Sequence, residues 1–290
     1  MNGHLESISI VAWQALREAR RRRVLRIVVG LTALCGGLYC WGAVEVFDHV
    51  DQEAVGVPVG LLDARAVAGS TMLGLAIFGA LFLGVVLATF LSAAAVRGDA
   101  ERGLLQPLLV RPLGRGQYLI GRFLAAAITS MLFVLATYAA AVVAIGLIGD
   151  WWPAEPLAIG LRLALAVATV AALALAGSTL MTATANGIFV LMIYGAGLVG
   201  GMMGSIGEAV GSQRLTDISD TASWVLPFQA LYRDALLRLV GDMTGGTAAF
   251  VRLGPLGNSH DGGPTLLPWS LVFIVVVLVV ATVRLRRLDL

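Results

Sequence analysis

Residues 97–115 read Arg97-Gly98-Asp99-Ala100-Glu101-Arg102-Gly103-Leu104-Leu105-Gln106-Pro107-Leu108-Leu109-Val110-Arg111-Pro112-Leu113-Gly114-Arg115. Side chains of these types do recognition rather than catalysis. Leu104, Leu105, Leu108 and Leu109 make an apolar run that needs something to cover it, and the surrounding charges would form its rim. Two coverings fit: a short helix docked on a partner, or a hairpin loop packed on its own helix ends. Groups for other chemistry are few. His4, His49 and His260 lack the spacing of a metal site. No G-x-S-x-G, H-E-x-x-H or paired-carboxylate pattern occurs. All 20 basic residues are arginine, which removes the phosphate-loop lysine of an ATPase and any Schiff-base chemistry. The chain predicts no catalytic site, no resident metal or cofactor, and no nucleic-acid partner.

The elements that must position this loop are apolar. Of 290 residues, 58% are hydrophobic and 13% charged, with a mean hydropathy of +0.88. Soluble domains carry about 25% charged residues, so a soluble globule is excluded. A bilayer core about 30 Å thick needs roughly 20 apolar residues per helix. Six blocks qualify, near 24–44, 66–96, 118–148, 157–182, 184–206 and 266–284, the break at 182–186 resting only on Thr182, Thr184 and Asn186. The expected fold is an all-α membrane protein of six transmembrane helices.

Charge sets the expected orientation. Six arginines between Arg17 and Arg26, five between Arg97 and Arg122, and Arg284, Arg286 and Arg287 share one side. Most of the acids, including Glu45, Asp48, Asp51, Glu53 and Asp63, fall on the other. The positive-inside rule places both termini and the 97–117 loop in the cytoplasm. The apolar run after the first arginines exceeds a signal-peptide core and is followed by acids, so it reads as a retained span. Cys35 and Cys40 read as small apolar packers. Arg26, Arg65 and Arg162 fall at helix ends, where snorkelling is the expected role. No acid falls in mid-span, which weighs against an ion-driven transporter or an intramembrane enzyme.

Two flanking segments add detail. Leu5, Ile8, Val11, Ala12, Ala15, Leu16 and Ala19 recur at helical spacing before Arg20–Arg23. Residues 1–23 therefore read as an N-terminal amphipathic helix in the membrane interface, or more plainly as a basic flank. In the extracytoplasmic segment 205–265, a helix is expected from Pro227 and Phe228. Leu231, Tyr232, Ala235, Leu236, Leu239 and Val240 would cover one face, and Arg233, Asp234 and Arg238 the other. Residues 241–263 hold seven glycines and read as a loop. Gly197 with Gly201, and Gly200 with Gly204, are small-xxx-small pairs; close packing within the subunit is their simpler meaning, a hinge or dimer contact the other.

The 97–115 stretch resembles the cytoplasmic signature of ABC-2 type transporter permeases. In that family an acid-x-Glu-x-Gly-Thr-Leu-Glu-x-Leu-Leu run precedes a Pro-Val-Ser-Arg turn and a Leu-Gly-Lys that opens the third span. Asp99, Glu101, Gly103, Leu105, Leu108, Leu109, Pro112, Arg115 and Gly121 match. Leu104, Gln106, Leu113, Gly114 and Arg122 depart from it. The architecture resembles the family along the whole chain, closest to its NosY-like branch, whose ATPase is a separate polypeptide. The resemblance implies a permease domain over 24–290 that homodimerises in a prokaryotic inner membrane. It implies two copies of an ATP-binding cassette partner, with ATP and Mg held there. Asp99, Glu101, Arg102, Gly103, Leu105, Gln106, Leu108, Leu109, Arg111 and Arg115 would couple to that partner. Pro227, Phe228, Leu231 and Tyr232 would form the external gate. The apolar lining suggests export of an amphipathic or lipid-like cargo. A scaffold or sensor that recruits a cytoplasmic partner without transport is the alternative.

Overall fold

The computed structural model describes residues 23–53, 63–93, 115–241 and 262–287. These residues form eight α-helices: α1 Arg23–Glu53, α2 Ala64–Ala93, α3 Arg115–Gly149, α4 Pro156–Gly177, α5 Ala183–Val210, α6 Gln213–Val225, α7 Pro227–Val240 and α8 Leu266–Arg287. No strand occurs among them. Six of the helices (α1 to α5 and α8) are long and apolar enough to cross a membrane. Lipid supplies no hydrogen bonds, so an Ala-, Leu- and Val-rich chain satisfies its backbone there by closing each span into a helix.

Local chemistry fixes the ends. The Asp63 carboxylate accepts the Ala66 N–H at 3.0 Å and caps α2. Pro156 and Pro227 open α4 and α7, where a missing N–H costs nothing. Gly211, at φ +68°, closes α5 in the left-handed conformation, and the Ser212 N–H reaches back to the Gly207 carbonyl at 2.8 Å.

The break between α4 and α5 comes earlier than the sequence suggests, after Gly177. The Ser178 and Thr179 hydroxyls turn back onto the carbonyls of Leu175 (2.6 Å) and Ala176 (2.7 Å). Asn186 then pins the two helices together, donating to the Ala174 carbonyl at 2.7 Å. Its carboxamide oxygen lies against Gly177, where any Cβ would collide. The α1 helix also outruns the apolar block, continuing through Glu45, Asp48 and Asp51 to Glu53, because polar residues past the hydrocarbon can still be helical.

The core is centred on α4, which packs against α2, α3, α5, α7 and α8 and is 72% buried over its apolar window. Gly84 of α2 admits Val134 of α3 and Val167 of α4 to one point. At one end of the bundle, Trp151 covers Gly69, Trp152 covers Gly146 and Phe47 covers Gly149. At the other end, Gly116 of α3 meets Thr282 of α8, and Val28 of α1 packs near Leu91 and Ala126. The start of α1 and the finish of α8 therefore share an end, opposite the end that holds α6 and α7.

Candidate functional site

The helical hairpin α6–α7 lies between the last two spans, and its second arm is the most informative element in the molecule. From its sequence α7 is an interfacial helix with one apolar and one charged face; in the structure both faces are enclosed. Arg233 and Asp234 are each 3% exposed, and nearly every residue from Pro227 to Val240 is buried. The helix is inserted among α2, α4, α5, α6 and α8 rather than laid on a surface. Its polar side is accepted inside because each charge meets a partner, as burial of charge requires.

Asp234 is the hub of that side. Its carboxylate pairs with the Arg162 guanidinium of α4, which also donates to the Ala158 carbonyl at 2.9 Å. Arg162 is therefore a buried partner of α7, not the snorkelling side chain that its place near a helix end suggests. Arg238 approaches the same carboxylate at 3.5 Å and reaches Glu155, just before α4, at 2.6 Å. The Gly262 N–H adds a contact to Asp234 at 3.3 Å. The bond to Glu155 chiefly, with Asp234 behind it, pushes the Arg238 guanidinium above its ordinary value. Next to this network Arg233 donates to Ser219 (2.8 Å) and Ser223 (3.3 Å) of α6. These bonds tie α7 to α4 on one flank and to α6 on another.

The remaining flank is aromatic. Tyr194 of α5 stacks on Phe228 at 5.6 Å and lies 6.3 Å from Phe82 of α2. Phe78 of α2 lies 6.4 Å from both Phe82 and Tyr232. Burial pushes the Tyr232 phenol up to about 12, so it stays protonated at any working pH. Glycines let the helices approach: a Cβ at Gly197 would meet Phe228, one at Gly200 Ala222, and one at Gly204 Ser219 and Arg233. The small-residue face of α5 is thus filled within the subunit by the hairpin, the simpler of its two sequence meanings.

A cavity of about 300 Å³ opens among α6, α7 and α8, lined by Asp220, Ser223, Arg233 and the Trp224–Trp269 pair. Trp269 donates its indole N–H to the Trp224 carbonyl at 2.9 Å, which closes the base of the hairpin onto α8. Among the described residues no three His, Cys, Asp or Glu side chains gather as a metal would need.

Pro227, Phe228, Leu231 and Tyr232 come together in α7, all buried. Phe228 and Tyr232 belong to the aromatic cluster. Asp99, Glu101, Arg102, Gly103, Leu105, Gln106, Leu108, Leu109 and Arg111 lie outside the described residues, as do residues 1–22 and the glycine-rich loop 242–261. Arg115 opens α3. Sequence reading missed α6 and the Arg162–Asp234 pair. The α6 signal was there in Leu215, Ile218, Ala222 and Val225 at helical spacing after Ser212. Nothing in a single sequence links two charges 72 positions apart.

A family model described as "ABC-2 family transporter protein" matches residues 9–290, nearly the whole chain. No curated protein matches it.

Proposed function

The chain belongs to the ABC-2 family of transporter proteins, and from that premise we propose how its hairpin and spans move a cargo. It is the membrane permease component of an ABC transporter. In our reading two copies form the permease in a prokaryotic inner membrane, termini inward, and each engages a separate ATP-binding subunit of the NosY-like arrangement. Loop 97–117 receives the push, with Glu101 and Arg102 as the charged rim and Gly103 allowing close backbone approach. The cargo is exported and is amphipathic or lipid-like.

One observation carries this reading: α7 is a short helix buried at one end of the bundle and bonded unequally to its neighbours. Towards α4 it is held by buried ion pairs, and separating one leaves a charge uncompensated, at about 3–5 kcal/mol. Towards α5 and α2 it is held by aromatic faces and glycine contacts, worth about 0.5–1.5 kcal/mol per ring pair beyond burial. Force arriving through α2 and α5 therefore opens the aromatic seam and leaves α7 on α4. Phe228 and Tyr232 act as the gate on that seam, while Pro227 and Leu231 set its backbone and packing.

The reading is tested by affinity purification of the chain from native membranes, with identification of what accompanies it. A stoichiometric phosphate-loop ATPase, lost when residues 101–109 are scrambled, supports it. A chain that comes down alone, or with a regulator lacking nucleotide motifs, points to the scaffold. Within the assembled complex, Glu101→Lys and Gly103→Leu should each uncouple ATP hydrolysis from transport. Undiminished transport in both would remove the loop from the mechanism.

A further inference from the structure

The aromatic seam carries two polar groups whose burial is uncompensated. Gln229 of α7 is 1% exposed and Tyr194 of α5 is 3% exposed. Among the described residues neither the Gln229 carboxamide nitrogen nor its oxygen has a hydrogen-bond partner, and neither has the Tyr194 hydroxyl. Most buried polar groups in proteins are bonded, and an exception calls for a reason.

Position supplies the reason. The Tyr194 ring stacks on Phe228, the residue before Gln229. On the helical wheel of α7, Gln229 falls between Phe228 and Tyr232 on one side and Arg233 on the other. Phe228 and Arg233 touch α5, at Gly197 and Gly204. Tyr194 thus belongs to the α5–α7 contact, the seam held by rings rather than ions, and Gln229 borders it between Tyr232 and Arg233. Beside them Arg233, also buried, has its bonds in Ser219 and Ser223.

We infer that Gln229 and Tyr194 are the cargo's polar contacts, exposed when the seam opens, and that they select an uncharged hydrogen-bonding headgroup. The inference rests on the permease reading above. An amide and a phenol together donate and accept without net charge. Among the described residues the nearby charges of α7 are already engaged by Arg162, Glu155 and Ser219. A hydroxyl, amide or glycerol head fits this pair, and the rings of Phe78, Phe82, Phe228 and Tyr232 suit the apolar body behind it. A carboxylate or ammonium would find no counter-charge in the pair itself.

The test compares the wild-type full chain with Gln229→Leu and Tyr194→Phe in lipid nanodiscs by thermal unfolding. Each variant removes an unpartnered group at nearly constant volume, so its midpoint should stay level or rise by about 2–4 °C. A fall of several degrees in both would show that the groups have partners inside the fold, and would overturn the inference. Monodecanoylglycerol, kept below its micellar concentration, should then raise the wild-type midpoint and lose that effect in both variants. Decanoate and decyltrimethylammonium should not distinguish the three proteins. Equal stabilisation of all three by the neutral probe, or none in the wild type, would also overturn it. These readouts need no ATPase, so a failure here is separable from failure of the permease reading, which the co-purification decides.

Discussion

Helices α1 and α7 reverse the usual order of inside and outside. The α1 span is mostly apolar, yet only 11% of its window is buried, and Ile27, Leu34, Leu38 and Trp41 are each at least 60% exposed. The α7 helix carries Gln229, Arg233 and Asp234, and all three are buried. In water this arrangement would be unstable. In a bilayer, lipid tails are as apolar as leucine, so apolar surface gains little by leaving them. For α7 the position is set instead by polar groups that only other protein groups can satisfy. The greasier helix faces outward and the more polar one is enclosed.

That contrast can be broken at its strongest point. Asp234→Ala leaves Arg162 buried without its carboxylate and should cost about 3–5 kcal/mol, read as a large fall in unfolding midpoint or yield. The double variant Arg162→Leu with Asp234→Leu should recover most of the loss. If the double is as unstable as the single, paired charge is not what holds α7 in place.

A smaller effect is expected on the glycine face. Gly197→Val drives a side chain into Phe228 and should cost about 1–3 kcal/mol by overpacking, whereas the same change at Gly195, which has open space, should be nearly silent. Equal effects at both would remove the close contact from the account. Ser219→Ala takes a hydroxyl from Arg233 and should cost about 1.5–3 kcal/mol, the range of a bond to a charged group, provided Ser223 does not take its place; thermal unfolding of Ser219→Ala beside Ser223→Ala separates the two.

The smallest effects belong to the outward face. Leu34→Ala on α1 exchanges lipid contact for lipid contact and should stay within about 0.5 kcal/mol. A core-sized loss there, about 2–5 kcal/mol, would mean that protein, such as a second copy of the chain, covers this helix. The comparison would then be sharpened to one between a dimer face and a gate.

Much of this was legible in the residues. Block lengths announced the six spans, because hydrocarbon thickness sets helix length whatever lies alongside. The proline at 227 and the heptad-like apolar residues after it announced α7, because capping and periodicity are local. The glycines of α5 announced a close contact. The two misjudged boundaries are equally local in cause: Ser178 and Thr179 turn the chain before the polar residues at 182–186 do, and α1 simply continues beyond the lipid.

What the sequence determined by itself is therefore the all-helical membrane architecture and the lack of a catalytic motif, both consequences of composition and short-range pattern. What only the tertiary structure decided is which helix is enclosed and by what. The burial of α7, the Arg162–Asp234 pair and the unpartnered Gln229 and Tyr194 depend on residues far apart in the chain meeting in space. An amphipathic helix has the same pattern whether its polar face meets water or a buried guanidinium. The choice rests on the desolvation of each charge against the partner that reaches it, and that partner is known only once the helices are packed.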